Sequence, residues 1–126
     1  NLLDVDHSAV EWNGKKQKDT SGEENTIAIP GFEKVTLYAN ETTQAVNFHN
    51  PEINDCYFKI SLIHPDGSVL WISDLIEPGK GMYSIELEKT LAVGEYENAV
   101  LKYECFSLND QSPLNGSEIN LKLVVV

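Results

Sequence analysis

The stretch "DCYFKISLIHPDGSVLWISDLI", residues 55–76, decides how this chain folds. Its first half alternates: Cys56, Phe58, Ile60 and Leu62 share one side of an extended strand, and Tyr57, Lys59 and Ser61 take the other. In "HPDGS" Pro65 presets φ, Asp66 tolerates the bridge region and Gly67 takes the positive φ that closes a short hairpin. The two halves are therefore expected to pair as antiparallel neighbours. In the second half apolar residues occupy both parities, with Val69, Trp71 and Leu75 against Leu70, Ile72 and Ile76. That pattern predicts a strand buried on both sides, with Trp71 in the core.

The same period of two extends outward. Val35, Leu37 and Ala39 share a face in "KVTLYAN", as do Val46 and Phe48 in "QAVNFHN". Downstream, "EPGKG" places Pro78 and Gly79 at the central positions of a type II turn. It leads into "MYSIELE", where Tyr83, Ile85 and Leu87 alternate with Ser84, Glu86 and Glu88. In "EYENAVLKYECFS" the inward set is Ala99, Leu101, Tyr103 and Cys105, and in the final "INLKLVVV" it is Ile119, Leu121, Leu123 and Val125. A helix over "SIELEKTLAVGEYENA" competes weakly, because Gly94 and the alternating start favour strand and turn. About seven strands with regularly spaced turns predict an all-β fold, an immunoglobulin-like antiparallel β-sandwich.

Composition bounds the rest. With 126 residues, 41% of them hydrophobic, the chain supports one compact domain. Nine basic residues against twenty acidic ones give a net charge of −11, spread along the whole chain. Such a surface repels a phosphate backbone, so no nucleic-acid partner is expected. Residues 1–25, with the polar run "NGKKQKDTSGEEN", read as a partly disordered tether, against which Trp12 offers one aromatic able to dock. Residues 26–126 form the sandwich domain. No apolar stretch is long enough to span a bilayer as a helix. The chain opens on Asn1 rather than methionine, as expected of a protein whose leader has been removed.

Cys56 and Cys105 both fall on apolar faces, which leaves two readings. A bridge between them would stabilise an exported fold by roughly 4 kcal/mol. Otherwise they are two buried thiols acting as small hydrophobes.

Tyr103, Glu104 and Cys105, with Trp71 between the two cysteines, resemble the immunoglobulin pattern of Cys, Trp and Tyr-x-Cys. That resemblance implies an inter-sheet disulfide and a tyrosine corner, although the "HPDG" hairpin puts Cys56 and Trp71 on paired strands, which departs from it. Across residues 27–126 the order "IPGF", "NPEINDCYFKISL", "DGSVLW", "SDLIEPGK", "LKYECFS" and "LNGSE" is similar to uncharacterised surface lipoproteins of Gram-positive gut bacteria. The likeness implies a secreted or cell-surface β domain, with membrane contact only through an N-terminal lipid anchor and residues 1–25 as the spacer.

Motifs for chemistry are sparse. His7, His49 and His64 form no zinc-binding spacing, and G-x-S-x-G, Walker A and dinucleotide-binding patterns are missing. Paired acids such as Glu86 and Glu88 read as solvated strand faces rather than a glycosidase pair. Asn109, Asp110, Asn115 and Glu118 offer oxygen ligands for calcium, but they are also what any turn contains. No catalytic residue, cofactor or metal is assigned. Tyr57 and Phe106 fall opposite the cysteines on the outer faces of their strands and are the candidate ligand contacts. With loops 50–55, 76–81 and 108–117 they suit a non-catalytic binding, adhesion or spacing module with an unidentified protein or glycan partner. The alternative is a small carbohydrate-binding accessory domain.

Overall fold

In a computed structural model the chain is all-β. Residues 5, 6, 9–11 and 34–126 are described, and no helix occurs among them. They form strands β1 (Val10–Glu11), β2 (Lys34–Leu37), β3 (Thr43–His49), β4 (Cys56–Ile63), β5 (Val69–Ile72), β6 (Lys80–Glu86), β7 (Gly94–Ser107) and β8 (Pro113–Val125). Eight strands exceed the expected count of about seven, and the additional one, β1, falls within the segment read as a tether. It pairs with β6 through Val10 and Gly81, and Glu11 meets Lys80 Nζ at 2.8 Å. His7, Trp12 and residues 13–25 of the tether lie outside the described residues.

The strands make a three-stranded sheet, β1-β6-β3, and a five-stranded sheet, β2-β8-β7-β4-β5. Every pairing is antiparallel except β2 with β8, where Lys34–Leu37 run parallel to Lys122–Val125. That contact covers the apolar terminal strand, which would otherwise offer an open edge for aggregation. Between the sheets lies the core. Phe58, Ile60, Leu62, Leu101, Tyr103, Leu121 and Leu123 line it from the large sheet, and Phe48, Met82 and Ile85 from the small one. Phe48 and Trp71 stack across it with ring centroids 5.7 Å apart.

The hairpin expected of "HPDGS" forms. His64 and Ser68 close it, Gly67 adopts φ 92°, and Leu62 pairs with Trp71. Asp66 Oδ1 accepts from the Ser68 hydroxyl and N–H, which pulls its pKa down to about 2. Burial of β5 on both sides is not observed: Val69 and Ile72 are 45% and 48% exposed. A register shift between Leu62 and Ile63 accommodates Leu70 as an extra residue, so Leu70 and Trp71 both turn inward although they are consecutive. Tyr83 likewise departs from the alternation that groups it with Ile85 and Leu87. It is exposed and Met82 is buried, because the alternation resets at the register shift between Ala45 and Phe48 on the partner strand.

Candidate functional site

Strand pairing brings three loops to one end of the sandwich. Cys56 pairs with Ser107, which sets the β3–β4 loop, residues 50–55, beside the turn between β7 and β8. At the same end His49 pairs with Gly81, which sets that loop beside the connection from β5 to β6. The Pro78-Gly79 turn forms as its sequence predicts, with Gly79 at φ 82° and Lys80 N–H donating to Glu77 O at 3.1 Å.

One residue that periodicity does not single out ties the β3–β4 loop to the β5–β6 connection. Asn50 is fully buried, and its side-chain amide donates to the carbonyls of Cys56 at 2.8 Å and Ile76 at 2.9 Å. Its own N–H donates to Lys80 O, its carbonyl accepts from Gly79 N–H, and its Oδ1 accepts from Asn54 Nδ2 at 2.9 Å. The only sequence signal is the Asn-Pro step at residues 50–51, which reads as loop and carries no hint of burial. On this frame Ile53 stands 79% exposed at the loop tip.

The third loop is shorter than the expected 108–117, since β8 begins at Pro113. Pro113–Ser117 stays in the ladder because Asn115 and Gly116 together face the single residue Glu104, a bulge between the pairs Tyr103–Ser117 and Cys105–Leu114. A Cβ on Gly116 would collide with the Tyr103 carbonyl oxygen, so this close approach requires glycine. Residues 107–112 close as a turn in which Asp110 Oδ1 accepts from Ser112 N–H, a bond that holds its carboxyl below the usual range. Among the described residues no three His, Cys, Asp or Glu side chains gather as a metal-binding set.

Beside this end, the outer face of the large sheet carries the predicted aromatic contacts. Tyr57 and Phe106 are directly opposite each other on β4 and β7, and both are half-buried. The next outward row is Lys59 opposite Glu104, and the one after it Ser61 opposite Lys102. Lys102 Nζ lies 3.5 Å from Glu104 Oε1. A groove of about 500 Å³ follows the β7–β8 hairpin here, with Lys102, Glu104, Phe106, Pro113, Gly116 and Glu118 in its lining.

The two cysteines occupy the opposite face of the same strands. Each is 1% exposed and carries a free thiol. The inter-sheet disulfide implied by the immunoglobulin pattern is not formed. Both residues sit on adjacent strands of one sheet, with Phe58 pairing Cys105 and Cys56 pairing Ser107, so a bond between them would not join the two layers. The Cys105 thiol is pushed up first by its hydrogen bond with Cys56 and then by burial, which makes it a poor nucleophile. Nor does Tyr103 make a corner: among the described residues its buried hydroxyl has no hydrogen-bond partner, its ring is edge-on to Phe58 at 5.1 Å, and burial raises its pKa.

Comparison with protein-family models, with curated proteins and with solved structures finds no match for this chain.

Proposed function

We propose that this chain is a non-catalytic, immunoglobulin-like β-sandwich module that works outside the cytoplasm, secreted or held at the cell surface, in binding, adhesion or spacing. The observation that carries the reading is the gathering of three loops at one end of a hydrogen-bonded scaffold. In variable-type immunoglobulin domains the loops of one end form the binding surface. Here the β3–β4, β5–β6 and β7–β8 connections share an end. The strand order supports the same comparison. β4, β7 and β8 lie together in the manner of C, F and G with β5 as an added neighbour, while β3 and β6 pair in the second sheet like B and E. The extracytoplasmic placement rests on the likeness of the motif order to surface lipoproteins.

Two measurements on the source cells and their envelope test this. Protease added to intact cells is expected to remove the protein, and survival of the whole pool would overturn the location. Immobilised protein is expected to retain an envelope component, less of it after Ile53→Asp, a change at an exposed site where stability should stay within about 0.5 kcal/mol. Retention of nothing would leave only a spacer.

A further inference from the structure

Of the surfaces described, the outer face around Tyr57 and Phe106 combines a platform, a recess and directional polar groups. The two rings are cross-strand neighbours on the rigid pair β4 and β7, so they are held side by side by backbone pairing rather than by a loop. The adjoining groove follows the Asn115–Gly116 bulge, where glycine lets β8 approach the Tyr103 backbone closely. Its volume, about 500 Å³, falls within the roughly 300–1,000 Å³ typical of small-ligand sites.

Charge selects the occupant. Lys102, Glu104 and Glu118 line the recess and Lys59 faces Glu104 from the neighbouring strand β4, two charges of each sign, so this face is locally neutral within a chain of net charge −11. An anionic polymer meets the overall repulsion, and a second copy of this chain would bring a further −11 with it. A neutral ligand with an apolar face and a hydroxyl-bearing edge avoids both costs. We propose that this groove binds a neutral oligosaccharide, one sugar face lying on the Tyr57–Phe106 platform. The carboxylates of Glu104 and Glu118 accept from sugar hydroxyls and Lys102 donates to sugar oxygens. The inference rests on the reading of the chain as a binding module and gives that module, beside its loop end, a second site and that site's ligand class.

Titration of the full chain with cellohexaose, xylohexaose, mannohexaose and chitohexaose, followed by amide chemical shifts, tests it. At least one sugar is expected to give saturable shifts confined to residues around 57, 102–106 and 113–118. Tyr57→Ala and Phe106→Ala should each weaken binding by roughly two- to twelve-fold, the equivalent of the 0.5–1.5 kcal/mol of an aromatic contact. Tyr57→Phe should retain it, and Ile53→Asp, at the loop tip, should leave it unchanged. Well-dispersed spectra of each variant establish that it is folded. No saturable shift with any of the four sugars, or binding that survives loss of both rings, overturns the proposal. If an envelope component is still retained through the loops in that case, the module reading stands and only the glycan assignment falls; if nothing is retained either, both fall.

Discussion

Strands β4 and β7 present two faces that differ by a single residue step. Inward they carry Cys56, Phe58, Tyr103 and Cys105, none more than 1% exposed; outward they carry Tyr57, Lys59, Glu104 and Phe106, all partly in water. Cys56 touches Tyr57 in sequence, as Cys105 does Phe106, yet one member of each pair belongs to the core and the other to the surface. The difference teaches that on this sheet parity, rather than residue type, assigns each side chain its role. Aromatic rings on one face pack in the core, and aromatic rings on the other remain partly exposed to water.

The largest effect that would break this contrast is thiol reactivity. Reaching Cys56 or Cys105 requires the sheets to separate, so alkylation of the native protein should be slowed by about 10³-fold or more, reflecting an opening cost near the global stability of roughly 5 kcal/mol or above. In Tyr57→Cys the new thiol, one position away, should react at close to the rate of an exposed cysteine. Two thiols should alkylate in the denatured, unreduced protein. An intact mass showing none would mean that the pair had bridged within the sheet, and rapid labelling of the native wild type would mean that the inner face is open.

Next in size is the pair Phe58→Ala and Phe106→Ala. The first leaves a cavity beneath Tyr103 and should cost about 3–5 kcal/mol in denaturant unfolding. The second removes a half-buried ring whose cross-strand contact contributes roughly 0.2–1 kcal/mol, and its loss should stay near that range. Equal losses would mean that Phe106 is a structural residue, and the case for a ligand-facing platform would go with it.

Asn50→Ala sharpens the comparison from the loop end. Alanine deletes the buried bonds to the Cys56 carbonyl and the Asn54 amide and one of two bonds to the Ile76 carbonyl, which keeps the Phe58 N–H. A loss of about 2–4 kcal/mol is expected at an unchanged denaturant slope. A loss below about 1 kcal/mol would show that these loops hold their arrangement without Asn50.

How much of this was legible in the sequence depends on where the ladder is regular. From Cys56 to Ile60 on β4 and in the second half of β7 the alternation is unbroken, so the faces of Cys56, Tyr57, Cys105 and Phe106 follow from parity alone. Parity fails at bulges, which insert one residue without a distinct composition: Leu70 and Trp71 both turn inward, Tyr83 turns out, and Asn115-Gly116 reads as loop while lying within a strand. That Tyr57 and Phe106 stand opposite each other is a matter of register between strands far apart in the chain, which no local pattern encodes. Asn50 was invisible for a related reason. Its partners come from its own loop and the start of β4 and from the distant β5–β6 connection, and a short polar residue before proline looks the same whether it caps one loop or ties two together.

The smallest effect concerns the one polar atom that sits poorly on the inner face. The Tyr103 hydroxyl is buried with no hydrogen-bond partner among the described residues. Removing it in Tyr103→Phe keeps the edge-on contact with Phe58 and deletes an unsatisfied group, so stability should be unchanged or raised by about 1 kcal/mol, a rise in Tm of roughly 4 °C or more for a domain of this size. In a tyrosine corner the same hydroxyl bonds to backbone, and its loss would instead lower Tm. A clear destabilisation would therefore give Tyr103 a partner and draw the chain closer to the immunoglobulin pattern; neutrality or a gain would mean that the tyrosine of "YECFS" is held by its ring, and that the inner face is sustained by packing alone.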